Sequence, residues 1–296
     1  MILGIDLGNF SVKTSEKFSF ISKIKEGMSF TEKNNFTLDG INYSIGDGEF
    51  STDWNKSRKE NLIPMLFYSI AKCSIEDINQ VVIGLPIQQY KKEKEALKSY
   101  IESNRVKEII IGGEKKNILI SDIEIAPEGA AAYYNLSSDN KNKIGKRQLL
   151  IIDVGGLTTD ICLFKDRTII DVKTVPVGML NIYQEIVDHI NSKYVENFKL
   201  EDGEEILRDG LLINGEFKDI SFIRPILIKN FNSIWKEVQL KFNTSNGYVL
   251  LTGGGSNVLK QAFKNRLGNN LLISEDPLFD NAIGFKKVGE SIWLER

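Results

Sequence analysis

Ile5-Asp6-Leu7-Gly8-Asn9-Phe10-Ser11-Val12-Lys13, at the start of the chain, and Ile152-Asp153-Val154-Gly155-Gly156-Leu157-Thr158-Thr159-Asp160, opening its second half, are two versions of one pattern. Each reads as a buried strand ending in aspartate, a glycine-containing tight turn, a hydroxyl residue and a second strand. Such a turn presents main-chain N–H groups that can hold phosphate, beside a carboxylate that can hold a metal-bound water. Two copies, almost half the chain apart, predict a duplicated α/β fold closing on one nucleotide.

The flanking sequence repeats the same logic. Ile2–Leu7 and Ser11–Ser15 predict a hairpin, with a third strand around Phe18–Ile21. Lys23 to Arg58 is polar, with turn signals at Asp39-Gly40 and Gly46-Asp47-Gly48, and reads as small strands and loops without a core. Leu62–Lys72 has a helical apolar period, and Val81–Leu85 is a short strand stopped by Pro86. Gln88–Asn104 predicts an amphipathic helix with Tyr90, Leu97, Tyr100 and Ile101 on one side. Glu108–Ile111 and Asn117–Ile125 flank Gly112-Gly113 as a further hairpin. Polar Lys141–Lys146 marks the boundary between halves.

In the second half, Gln148–Asp153 and Asp160–Lys165 form the matching hairpin, with Thr168–Val175 as third strand. Leu180, Tyr183, Val187 and Ile190 mark a helix after Gly178. Ser221 is expected to cap a helix with Pro225 in its first turn, burying Ile223, Leu227, Ile234, Trp235 and Val238. Tyr248–Leu251 is a strand, Asn257–Leu267 a helix, and Asp280–Phe285 begins the last helix.

Composition narrows the function classes. The 296 residues suffice for two domains, and 42% hydrophobic with 26% charged residues is globular usage. A net charge of −2 and the lack of a basic stripe give no reason to expect direct nucleic-acid or anionic-membrane binding. Cys73 and Cys162 stand in no metal or redox spacing, and Cys162 reads as a small core hydrophobe. The single histidine, His189, is expected at the surface or core edge, which leaves a His-rich metal site out of reach. No run approaches the roughly 20 apolar residues of a membrane span, and Met1 leads straight into a strand. A cytoplasmic protein is expected.

A third glycine-rich loop, Leu251-Thr252-Gly253-Gly254-Gly255-Ser256, lies between a strand and a helix, where missing side chains let a flat ring or a phosphate reach the main chain. No GxxxxGK[ST] occurs, which excludes a P-loop. The glycines near Asp6 join two strands instead of opening a helix, which disfavours a dinucleotide fold.

Together these residues resemble the actin-like ATPases, and especially the bacterial ParM-type plasmid-segregation branch, over almost the whole chain. Asp6–Lys13 is similar to the first phosphate loop and Asp153–Asp160 to the second. Ile125-Ala126-Pro127-Glu128-Gly129-Ala130-Ala131-Ala132 resembles the first connecting segment, Leu251–Ser256 the adenosine loop, and Asp280-Asn281-Ala282-Ile283-Gly284-Phe285 the second connecting helix. Gly84-Leu85-Pro86 before a Lys/Glu helix fits the same branch. The resemblance implies a duplicated actin-like (ribonuclease H-like) fold, two domains around a nucleotide cleft. Residues 1–146 with 276–296 would form domain I, with a tip subdomain at about 23–75, and residues 147–275 domain II.

It also implies roles. Asp6 and Asp153 would hold Mg²⁺ through its waters. Gly8, Asn9, Ser11, Gly155, Gly156 and Thr158 would bind the β- and γ-phosphates. Lys13 would add a charge on the β-phosphate; a solvent-facing strand lysine is the alternative. Glu128 would orient the attacking water and accept its proton, with Asp153 as second catalytic residue; capping a helix after Pro127 is the alternative for Glu128. Gly253, Gly254, Gly255 and Ser256 would pack on adenosine, with Gly178 lining the same pocket and Glu204 and Glu205 near ribose or base.

The expected activity is ATP hydrolysis (GTP possible) with Mg²⁺, coupled to head-to-tail assembly with itself. In plasmid segregation, DNA would be reached through a separate adaptor protein, without membrane contact. Lys23–Arg58 and Glu196–Lys218 are the candidate longitudinal contacts. The alternative is a small-molecule kinase of the same duplicated fold, since Asp6-Leu7-Gly8-Asn9 is also similar to pantothenate and sugar kinases. A heat-shock chaperone is disfavoured by length, and a cell-division scaffold by a last segment, Ser291–Arg296, that is only a stub.

Overall fold

The structure is a computed structural model that describes residues 1–29, 34–51, 56 and 59–294. Those parts of the Lys23–Arg58 insert that fall at 30–33, 52–55 and 57–58, and the end of the terminal stub, lie outside the described residues.

β1 (Ile2–Leu7), β2 (Ser11–Thr14) and β3 (Ser19–Ile21) form an antiparallel meander, and β1 runs parallel to β7 (Ile78–Leu85), itself parallel to β9 (Glu114–Pro127). In the second half, β10 (Gln148–Val154), β11 (Thr159–Lys165) and β12 (Thr168–Val175) make the same meander. There β10 runs parallel to β15 (Gly247–Thr252), and β15 to β16 (Leu271–Ile273). The orders β3-β2-β1-β7-β9 and β12-β11-β10-β15-β16 therefore correspond strand for strand. The duplicated pattern is a duplicated topology.

The first sheet continues through β8 (Val106–Ile111), β5 (Asn35–Leu38), β6 (Ile41–Phe50) and β4 (Lys23–Glu26), reaching nine strands among the described residues. This corrects the reading of the insert as coreless. Ile24, Phe36, Leu38 and Ile45 are buried in the first half's main core. Asn35–Leu38 alternates half-buried and buried residues, the period of a strand with one dry face. Against that face lies α1 (Leu62–Cys73), buried continuously from Leu62 to Ala71 as befits a helix apolar on all sides.

α2 (Ile87–Ser103) follows Pro86 and buries Ile87, Leu97 and Ile101, whereas Tyr100 is exposed and leaves the expected apolar side. The polar boundary is a helix too: after the short α3 (Ala132–Asn135) comes α4 (Ser138–Ile144). The Ser137 hydroxyl accepts the Asn140 N–H at 3.3 Å, Asp139 sits in the first turn, and Gly145 at φ 54° ends the helix.

The second half carries α5 (Met179–Tyr194), α6 (Asp202–Asp209), the hairpin β13 (Leu211–Ile213) and β14 (Glu216–Lys218), α7 (Ile223–Lys241) and α8 (Ser256–Leu267). Ser221 does not cap α7. Its hydroxyl donates to Asp219 at 2.6 Å, and Leu227 is only half-buried. Cys162 is fully buried, and the exposed His189 stacks on Phe222 with ring centroids 4.0 Å apart.

The last helix, α9 (Asp280–Trp293), returns to the first half and lies on β1, β7 and α3. The approach requires glycine: a Cβ on Gly4 would collide with the Ala282 carbonyl, and one on Gly284 with the Ala131 carbonyl. Among the described residues no helix is long and apolar enough to cross a membrane.

Candidate nucleotide site

β1 and β10 are the corresponding strands at which each sheet passes from antiparallel to parallel pairing, and both end in a tight turn. In open α/β sheets, ligands bind beyond the carboxyl ends of such strands. Asp6 pairs in register with Lys13, and Asp153 with Asp160 on one side and Thr252 on the other. Asp6, Gly8, Asn9, Lys13, Glu128, Asp153, Gly155, Gly156, Thr158, Gly253 and Gly254 thereby line one cleft. Ser11 and Gly255 line an adjoining cavity, together with Phe10, Met179, Tyr183 and Glu204.

Two predicted residues stand behind these walls instead. Gly178 is packed under the second turn, where a Cβ would strike the carbonyls of Gly155 and Gly156. It makes room for the turn. Ser256 is fully buried as the first residue of α8, and its hydroxyl has no partner among the described residues. Glu204 borders the adjoining cavity.

Glu128 does not open a helix. Its N–H donates to the Leu85 carbonyl at 2.8 Å, continuing β9 along β7, and the chain then turns through Gly129 at φ 71°. The capping alternative has no helix to cap. A Cβ on Gly84 would stand 2.7 Å from Glu128 Cγ, so that glycine makes the space the carboxylate occupies. Lys13 is not solvent-facing: its Nζ lies 3.5 Å from Asp6 Oδ2 with the side chain 12% exposed.

Four residues of the site escaped the sequence reading. Lys56 forms an ion pair with Glu128 and lies 3.5 Å from Asp6 Oδ1. Lys59 donates to the Gly8 carbonyl at 3.1 Å and to Ser22 Oγ at 2.9 Å. Asp160 accepts from Thr174 Oγ1 at 2.5 Å on the cleft wall. Asn281 donates to Asp153 Oδ2 at 2.7 Å and accepts the Gly129 N–H at 3.1 Å, tying the second turn to the segment that carries Glu128. Asp160 sits inside the stretch recognised as the second phosphate loop and Asn281 inside the one recognised as the second connecting helix; Lys56 lies in the polar insert and Lys59 just beyond it.

Burial dominates the electrostatics, and the lysines decide its outcome. Asp6 is held below the usual carboxylate range: burial raises it, but Lys13 and Lys56 outweigh that effect. Glu128 is raised by burial, which Lys56 opposes and the nearby Asp6 reinforces. Asp153 is pushed up to about 7 by burial, with its Asn281 hydrogen bond opposing. Asp160 reaches about 8 by burial and the repulsion of Glu128. Carboxyls so raised mark a site short of positive charge, which a cation would supply. Among the described residues no three acidic, histidine or cysteine side chains could hold a metal directly. The donor set suits a cation held through its own waters by one carboxylate on each wall. Gly254 lines the cleft, and among the described residues a Cβ there would meet only Leu278 at 3.5 Å, so a ligand can lie on the main chain there. Mg-nucleotide therefore fits the residues present.

Residues 4–130 match the family model described as the N-terminal domain of actin-like proteins. Over nearly its whole length the chain has the actin-like fold. A ParM in a 15-stranded filament from Clostridium botulinum is 20% identical, with 98% of this chain and 99% of that one covered at a TM-score of 0.84. The archaeal actin homologue Ta0583 is 19% identical over 98% of this chain and 99% of its own, with a TM-score of 0.82 alone and 0.84 in complex with ADP. The Alp12 filament structure is 19% identical over 99% and 98%, with a TM-score of 0.69. No curated protein matches the sequence.

Proposed function

We propose that the protein is an actin-like ATPase that binds Mg-ATP between its halves, assembles head to tail into filaments, and weakens them by hydrolysis, in the service of plasmid segregation. The observation that carries this reading is the convergence of Glu128 with Asp6 and Asp153 in one cleft. Two phosphate turns alone suit any nucleotide enzyme of this fold. A largely enclosed glutamate fixed between them suits water as the acceptor. The fold shared with a ParM filament and with an actin homologue that binds ADP supports the reading. The domain division proposed is 1–146 with 276–296 against 147–275, following the two sheets.

Phosphoryl transfer to water needs positioning and charge neutralisation more than covalent help. The N–H groups of the turns at Gly8-Asn9 and Gly155-Gly156, with the Ser11 and Thr158 hydroxyls, would hold the phosphates. Lys13 would place its charge on the inner one. Asp6 and Asp153 would hold the waters of magnesium, which when bound neutralises charge on the transferred group. Glu128 would orient the attacking water and take its proton, a role suited to a carboxylate raised by burial. The adjoining cavity, with Phe10 and Tyr183 as ring surfaces and Gly255 as open main chain, would take adenosine. GTP is the alternative nucleotide. A separate adaptor would supply DNA contact.

Light scattering and pelleting with Mg-ATP, Mg-GTP, Mg-ADP and no nucleotide test the reading. Polymer is expected with triphosphate and its loss as hydrolysis proceeds. Glu128→Ala should keep ATP and stabilise the polymer, while Asp153→Ala should lose magnesium-dependent hydrolysis; normal turnover in the Glu128 variant would remove that residue from the mechanism. A chain that stays monomeric at high concentration while phosphorylating a small metabolite would install the kinase reading instead.

A further inference from the structure

Lys56 reaches the cleft from outside both phosphate turns, and its position is built. Its N–H donates to Gln89 Oε1 at 3.1 Å, and its carbonyl accepts the Lys59 N–H at 3.3 Å. Lys59 in turn is fastened to the first turn through the Gly8 carbonyl. One buried lysine, Lys59, is thus fixed to the first phosphate turn, and the other, Lys56, places its ammonium between Asp6 and Glu128. The Lys56 side chain is only 5% exposed. Desolvating an ammonium this deeply is unfavourable unless anions meet it, and both anions here are groups with work to do at the phosphates. Lys13 already faces the other oxygen of Asp6, so Asp6 is bracketed by two cations from different elements.

We propose that Lys56 reads the terminal phosphate of the nucleotide. This inference rests on the nucleotide reading of the cleft. Without nucleotide, the ammonium neutralises Glu128 and Asp6. A terminal phosphate beside Glu128 offers it a stronger, multiply charged partner, and the ion pair passes to that phosphate. Asp6 is then released to hold the waters of magnesium and Glu128 to hold the attacking water. A diphosphate provides no anion at that place, and Lys56 returns to the carboxylates. The exchange breaks and forms ion pairs only, and it gives the insert a contact that depends on the third phosphate.

Calorimetric titration of wild type and Lys56→Met with Mg-ADP and with the magnesium complex of the β,γ-imido analogue of ATP tests this. Wild type should prefer the triphosphate analogue. Lys56→Met should lose that preference by about tenfold or more while binding ADP as well as before or better. Lys56→Arg, which keeps the charge, should retain most of the preference. Equal losses or equal gains for the two ligands would overturn the proposal and leave Lys56 as a structural ion pair. Hydrogen exchange on the wild-type chain tests the same point without substitution: the Lys59–Leu62 amides should respond to the triphosphate analogue and not to ADP, and identical responses would overturn it. A wild-type chain that binds neither ligand would instead remove the nucleotide reading, and this inference with it.

Discussion

Lys56 and Lys59 are three residues apart and almost equally buried, at 5% and 3% exposure, yet they titrate in opposite directions. Burial lowers both, but in Lys56 it is outweighed by contact with Glu128 and Asp6. Lys59 touches a carbonyl and a hydroxyl, so burial, with repulsion from Lys56, brings it to about 7. Its folded value lies below the ordinary 10.5, so above pH 7 the unfolded chain binds a proton that the folded chain does not. Stability of the nucleotide-free protein should then rise with pH between about 8 and 9.5, by up to about 1.4 kcal/mol per pH unit from this one group. Urea melts across that window should show the rise in wild type and a flatter profile in Lys59→Met; parallel profiles would mean Lys59 is not depressed. Asp6 and Asp153 were legible because an aspartate ending an apolar strand before a glycine turn has few other uses. The two lysines were not, because a lysine in polar sequence carries no local sign of the cavity it will fill. Contacts distant in sequence hold them there, Gln89 at the Lys56 N–H and the Gly8 carbonyl and Ser22 hydroxyl at the Lys59 ammonium.

Elements packed by close approach have the least tolerance for added atoms. β7 passes between Glu128 and α9 at Gly84, where a Cβ would collide with the Phe285 ring and press on the Glu128 side chain. Gly84→Ala should cost about 1–3 kcal/mol of stability through overpacking, and it should also slow hydrolysis by displacing the carboxylate. Denaturant melts and turnover measured on one preparation would decide it, and a destabilised variant with full turnover would show that Phe285 yields instead of Glu128. Strands and long helices were largely legible from period, since each has one dry face or none. α4 was missed because Lys and Asn dominate it and only Ile144 is buried; its signals were the cap at Ser137 and the stop at Gly145. The insert strands were missed because short alternations such as Asn35–Leu38 are diluted by turns, although Phe36 and Leu38 do mark the dry face.

At the scale of the molecule, the two halves also meet at the rim of the cleft. Lys23 on β4 pairs with Glu201 before α6 at 2.8 Å and lies 5.4 Å from the Phe50 ring centroid. Phe10 bridges Phe50 and Tyr183 at 5.5 and 5.4 Å. A partly screened pair of this kind contributes about 1 kcal/mol. If it helps hold the closed arrangement, Lys23→Ala should weaken ATP and ADP alike by about fivefold, and the exchange Lys23→Glu with Glu201→Lys should restore binding. Calorimetry checks both, and a loss confined to the triphosphate would contradict a rim contact. The duplicated sheets were legible as a whole because the same pattern appears twice; the rim was not, since Lys23 and Glu201 are ordinary surface types in the sequence. The seat of α9 on β1 has a consequence for how the protein is made. Gly4 is synthesised long before the Ala282 carbonyl that covers it. The first sheet therefore leaves the ribosome with one apolar flank bare and keeps it so until α9 has been made. Cores that depend on so distant a partner mature after synthesis, and a ribosome that stalls before α9 releases a half-dressed sheet for chaperones to hold.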